Sequence, residues 1–131
     1  MADPATGPPA APDPTDPLPW VLAAARSAAS RTDAPTVVLD VGDVLSVCGW
    51  FVITSASNSR LVRAIAEEIV VQVTEAGGPR PLRVEGLDVA RWVLLDYGDF
   101  VAHVFLQEER DFYDLERLWR DVPVVEWQPV V

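Results

Sequence analysis

Lysine is absent from this 131-residue chain. Its ten bases are all arginine and stand against twenty acids, a formal net charge of −10. Affinity for nucleic-acid phosphates is built from clustered Lys and Arg, so this balance argues against a protein that coats RNA or DNA. One cysteine, Cys48, excludes an internal disulfide framework and any cysteine-based zinc site. No apolar run reaches the ~20 residues a membrane helix needs. The N-terminus has no basic segment leading into an apolar core, so no secretory signal is expected. What is present is a 50% apolar share, too high for a wholly disordered acidic chain. These bounds point to one soluble, acidic, cytoplasmic domain; neither a cofactor nor a metal is expected of it.

The first nineteen residues hold seven of the twelve prolines and three Asp. Proline at that density prevents helices and sheet ladders, so residues 1–17 read as a disordered acidic tail. The folded domain is expected over 18–122, with 123–131 as a C-terminal extension. An Ala-rich helix opens at Pro19-Trp20-Val21, with Asp16 as N-cap and Trp20, Ala24 and Ala28 on one face. Thr36–Val41 is a β-branched strand closed by Gly42-Asp43. Trp50–Thr54 is apolar without alternation, as a strand buried on both faces would be. Helix caps follow at Ser55–Ser59. Leu61, Val62, Ile65, Ile69 and Val73 then form a stripe at steps near 3.6 residues, and Gly77-Gly78-Pro79 ends it. Leu82–Glu85 is a weak strand. Trp92–Asp96 and Phe100–Phe105 read as a hairpin turned at Tyr97-Gly98-Asp99. The last helix is expected over 108–120, burying Phe112, Leu115 and Leu118 or Trp119. After Pro123 the chain reads as a loose extension or an edge strand. The class is α/β, in the order α-β-β-α-β-β-β-α, with a mixed sheet of about five strands and flanking helices.

Four groups carry candidate chemistry. Asp40 with Asp43, and Asp96 with Asp99, are D-x-x-D pairs at strand ends. Such carboxylates can hold Mg²⁺ for nucleotidyl or phosphoryl transfer. They also stabilise turns through their own side chains, and the turn role is favoured, because no Lys and no Gly-Ser loop stand ready for a triphosphate. His103, the only histidine, lies inside a strand and reads as a hydrogen-bonded structural residue rather than a general base. Cys48 has no adjacent base to lower its pKa and reads as an inert thiol. Trp92 shares a strand face with Leu94 and Asp96, and Tyr113 falls off the expected buried stripe. Half-exposed Trp and Tyr suit a protein interface, although Trp92 would equally suit a position under a helix.

Trp92-Val93-Leu94-Leu95-Asp96-Tyr97-Gly98-Asp99, then His103-Val104-Phe105, then Arg110-Asp111-Phe112-Tyr113-Asp114-Leu115-Glu116-Arg117-Leu118-Trp119 resemble the signature of the ribosomal silencing factor family, also called Iojap. Val38-Leu39-Asp40-Val41, Phe51-Val52-Ile53, Ser59-Arg60, Ala64-Ile65-Ala66 and Glu85-Gly86 match the family's earlier sections in order. The resemblance covers roughly residues 18–121. It departs from the pattern at Cys48-Gly49-Trp50, at Ser55-Ala56 and at Ala102-His103.

The resemblance implies a nucleotidyltransferase-like α/β fold without catalytic acids. It implies binding to the large ribosomal subunit through ribosomal protein L-fourteen, with no direct nucleic-acid readout. Docked there, family members keep the small subunit from joining and repress translation when nutrients are scarce. The resemblance implies Trp92 and Tyr113 as partner contacts; Leu94 and Tyr97, and the acids Asp96, Asp99, Glu109 and Asp114, lie near them in sequence and are expected around these anchors, the acids as rim. Two alternatives stand beside it: a metal-dependent nucleotidyl or phosphoryl transferase, and a large-subunit assembly factor. The same aromatic patch would also suit a homodimer in the free protein.

Overall fold

A computed structural model describes residues 16–45 and 48–128. The disorder expected of the tail concerns mainly residues 1–15, which lie outside the described residues. The first helix, α1 (Leu18–Ala29), begins where Asp16 Oδ1 accepts the Leu18 backbone N–H at 3.0 Å. Pro17 itself takes the cap position, one residue later than expected. Val21, Ala24, Ala25 and Ala28 are buried. Their small side chains let α1 lie close along α2 (Ser59–Glu75). Asn58 caps α2, accepting the Leu61 N–H at 2.8 Å. Val62, Ile65, Ala66, Ile69 and Val73 form its buried stripe, as the spacing requires. Trp20 covers the end of α2 at Gly78, where a Cβ would stand 2.8 Å from the indole.

The strands are β1 (Val37–Asp40), β2 (Trp50–Ala56), β3 (Arg83–Glu85), β4 (Trp92–Asp96) and β5 (Phe100–Leu106). They form one sheet in the order β1-β2-β5-β4-β3. Only the β2–β5 pair is parallel; the others are antiparallel. β2 is buried from Phe51 to Ala56, which explains its unbroken apolar run. The β4–β5 hairpin turns at Gly98, whose φ of +84° is readily available only to glycine. Asp96 Oδ1 braces that turn by accepting the Gly98 N–H at 2.8 Å.

The two sheet faces bury different cores. α1 and α2 cover Val38, Val52, Val93, Leu95, Ala102 and Val104. The opposite face carries Leu39, Phe51, Ile53 and Phe105, partly covered by Leu115, Trp119 and Val122. The segment after Pro123 is not loose over its described part. It runs along the free edge of β1: Val125 N–H donates to Val38 O at 2.8 Å and Asp40 N–H donates to Pro123 O at 2.9 Å. Trp127 Nε1 donates to Thr36 O at 2.8 Å, so this stretch closes one edge of the sheet.

The last helix departs from its expected form. It is two pieces, α3 (Gln107–Tyr113) and α4 (Leu115–Leu118), broken at Asp114 with φ 49° and ψ 55°. One left-handed residue redirects the chain, so a single helical stripe cannot run through both pieces. Phe112 and Leu118 are consequently 79% and 72% exposed instead of buried. Leu115 and Trp119 do pack on the sheet, with Trp119 perpendicular to Phe51 at 5.5 Å between ring centroids.

Candidate functional site

The face opposite α1 and α2 is only half covered. α4 and the turn after it lie over the β1–β2 side. The β4–β3 side carries partly exposed Trp92, Leu94 and Asp96, with exposed Arg83 and Glu85 beside them. Period two along β4 puts Trp92, Leu94 and Asp96 on this face. Register carries the row across the sheet, with Leu94 opposite His103 and Glu85, and Asp96 opposite Val101 and Arg83.

Trp92 stands where β4 begins, and α3 brings Tyr113 onto it, ring centroids 4.7 Å apart. The other neighbour of the indole is Phe105, directly across the ladder at 4.8 Å. Trp92 Nε1 donates to His103 Nδ1 at 3.1 Å. Trp92 is thus neither a free surface aromatic nor a core residue. It is fixed from one side and open on the other. Backbone geometry constrains its position too: a Cβ on Gly86 would stand 2.1 Å from Trp92 O, and Gly86 has φ +82°. Phe112 meets Tyr113 edge-on at 5.1 Å and extends the exposed aromatic surface.

The acids named from sequence do not cluster as one rim. Glu109 lies at the Trp92 end, where it pairs with Arg91. Asp96 pairs with Arg83 at 3.3 Å and lies about 13 Å along the strand from Trp92, at roughly 3.3 Å per residue. Asp99 is exposed in the turn beyond it. Tyr97 is the correction in this group. It is buried on the α1–α2 side, stacked on Phe100 at 4.5 Å, because the residue after Asp96 points to the other face. Burial raises the Tyr97 pKa to about 12, and its hydroxyl has no partner. In this packing it offers nothing to a ligand.

Arg110 escaped the sequence reading, where it fell on no apolar stripe. It is 7% exposed. Nη1 donates to Pro35 O at 2.6 Å and to Ser55 Oγ at 2.8 Å, and Nε donates to Glu116 at 2.8 Å. These bonds tie α3 to the ends of β1 and β2 and to α4, and so hold Tyr113 in place against Trp92. No local pattern signals this, because the partners come from distant segments.

His103 is buried between Trp92, Phe51 and Phe105, and desolvation lowers its pKa to about 4. Its Nδ1 is an acceptor, as a structural strand histidine would be. Cys48 is buried, donates to Trp50 O at 3.2 Å, and has its pKa raised by burial. One aspartate of each pair serves a turn: Asp40 Oδ1 accepts from Gly42 N–H at 3.1 Å, and Asp96 does the same for Gly98. Among the described residues no three His, Cys, Asp or Glu converge as metal ligands. None of the described helices is long and apolar enough to cross a membrane.

Fold and face together define a class: a small α/β domain whose mixed sheet is covered by helices on one side and left partly open, with an aromatic pair, on the other. The family profile described as "Ribosomal silencing factor during starvation" matches residues 14–131. The chain belongs to the ribosomal silencing factor family. That match extends past Pro123, where the sequence resemblance stopped, and includes the segment that closes the β1 edge.

Among relatives, the ribosomal silencing factor RsfS of Bacillus subtilis is 42% identical over 90 residues, covering 69% of this chain and 75% of its own. The mouse protein named "Mitochondrial assembly of ribosomal large subunit protein 1" is 30% identical over 84 residues, covering 63% of this chain and 37% of its own. A crystal structure of a Chromobacterium violaceum protein superposes with a TM-score of 0.75 at 29% identity, covering 81% of this chain and 88% of that one.

Proposed function

We propose that this protein binds the large ribosomal subunit through ribosomal protein L-fourteen and sterically prevents the small subunit from joining. It thereby represses translation when nutrients are limited, acting in the cytoplasm and without catalysis. Family membership over nearly the whole chain carries this reading. The half-covered sheet face supports taking Trp92 and Tyr113 as the anchor of that contact, with Leu94, Asp96 and Glu109 around them. Asp99 contributes only as part of a distant rim.

The charge supports the same direction. A net charge of −10 opposes direct contact with rRNA phosphates. It favours approach to a basic ribosomal protein, with an on-rate that falls as salt rises. The mouse relative's name favours a second reading, in which the same contact serves assembly of the large subunit. The two share a partner and differ in when binding occurs. A homodimer of the free protein burying the Trp92 face would compete with either.

Co-sedimentation with purified large subunits tests the proposal, with Trp92→Ala and Tyr113→Ala beside wild type and folding checked by circular dichroism. Wild type should pellet with the subunits at low salt, and both folded variants should stay in the supernatant. Absence of wild-type binding, or undiminished binding by both variants, refutes the assignment. Subunit joining assayed in the same mixture separates occlusion from assembly.

A further inference from the structure

His103 is an unusual choice for its position. The site is walled by Phe51, Phe105 and Trp92, with Ile53 and Leu94 opposite it on the neighbouring strands. No ionised group among the described residues pairs with it. Accepting the indole N–H requires Nδ1 to be unprotonated, so the ring proton resides on Nε2. Nε2 is buried and has no partner. A buried N–H left unpaired costs stability, so stability alone would favour an apolar residue such as leucine. What the histidine supplies is the other nitrogen.

Trp92 has one feature that packing leaves open. Its indole lies between Phe105 and Tyr113, and rotation about the bond to the ring has a broad minimum rather than sharp wells. Stacking fixes the plane of the ring poorly, since both contacts are tilted, at 33° and 48°. The single directional contact on the indole is its hydrogen bond to His103.

We propose that His103 is a positioning residue: its buried Nδ1 holds the Trp92 indole in the one orientation that the uncovered sheet face presents to a docking partner. This rests on the reading of that face as the ribosomal contact. A preset anchor loses less rotamer freedom on binding than one that must be ordered at the moment of contact. A structural cost inside the sheet is thereby converted into affinity at its surface.

Three proteins test the proposal: wild type, His103→Leu and His103→Asn. Leucine keeps the apolar packing and removes the acceptor. Asparagine restores an acceptor, Oδ1, one bond from Cγ as Nδ1 is. The Trp92 indole N–H resonance, assigned with Trp92→Phe, reports the lock without any partner. Large-subunit affinity by titrated co-sedimentation reports its use.

In His103→Leu the indole resonance should move and exchange faster with solvent. Binding should weaken about fivefold to tenfold, the equivalent of losing one hydrogen bond. His103→Asn should recover most of both. Unchanged binding by a folded His103→Leu overturns the proposal, as does an unmoved indole resonance. Should His103→Leu fail to fold, His103→Asn decides: wild-type affinity with the indole resonance still protected supports the lock, and loss of both with the fold intact overturns it. Failure of wild type to bind refutes the docking reading, and with it the use of the lock, while the resonance still shows whether the lock exists.

Discussion

Arg110 of α3 donates a hydrogen bond to Ser55 Oγ of β2 at 2.8 Å, joining the segment that carries Tyr113 to the end of that strand. Ser55 Oγ in turn donates to Gln107 Oε1 at 2.8 Å, so the first and the middle residue of α3 are bound to one serine. α3 has only seven residues and no side-chain N-cap, so it depends on such tertiary ties.

Replacing Arg110 by alanine would strand Pro35 O and Ser55 Oγ without their charged donor. The expected loss is about 2–3 kcal/mol, from hydrogen bonds to a charged group. The partly exposed Glu116 end of the network adds little to that. Arg110→Lys should recover only part, because an ammonium cannot reproduce the planar fork. Urea denaturation measures both, and an alanine variant within about 0.5 kcal/mol of wild type would remove Arg110 from this role.

The His103 site predicts a pH dependence with a defined sign. Its folded pKa is about 4, below the ordinary value of 6.5. Between those values the unfolded chain holds more protons than the folded one, so stability rises with pH across that window. The contribution is complete above about pH 6.5 and is lost as pH falls toward 4, to an extent of roughly 3 kcal/mol at most. Carboxylates titrate nearby in pH, so the informative quantity is a difference. Denaturation of His103→Leu should show a flatter profile than wild type from pH 6.5 to 4, and parallel profiles would contradict the assigned burial.

Tyr97 supplies the complementary test on the other face. Its hydroxyl is buried without a partner while its ring stacks on Phe100. Tyr97→Phe keeps the ring and removes the unpaired group, so it should be neutral or stabilise by up to about 1 kcal/mol. Large-subunit binding should be unchanged, in contrast to Trp92→Ala. Weakened binding by a stable Tyr97→Phe would return Tyr97 to the partner surface.

Much of the architecture was legible because it is local. The α2 stripe from Val62 to Val73, the Asn58 cap, the unbroken apolar run of β2 and the Gly98 turn each depend on residues a few positions apart. The resemblance named the family because its motifs lie along nearly the whole core. A 3.6-residue period carried through Asp114 predicts one last helix where the structure has two. A left-handed Asp looks like any other polar residue in a helical pattern. Tyr97 was misassigned because neighbouring residues on a strand face opposite sides, and its proximity in sequence to Asp96 carried no information about its side. Arg110 was missed because its partners lie at Pro35, Ser55 and Glu116, which no window joins.

The sequence by itself determined the α/β class, the family and the element order as far as the last helix, and it offered Trp92 and Tyr113 as candidates. Periodicity, caps and turns are encoded within each segment, so they can be read without the fold. Tertiary structure decided which surface those aromatics share. Strand register sets Leu94 opposite His103, the docking of α3 through Arg110 brings Tyr113 onto Trp92, and the C-terminal stretch closes the β1 edge. Each of these joins segments far apart in the chain. Such contacts are selected by the free energy of the whole packed arrangement rather than by any segment's own preference.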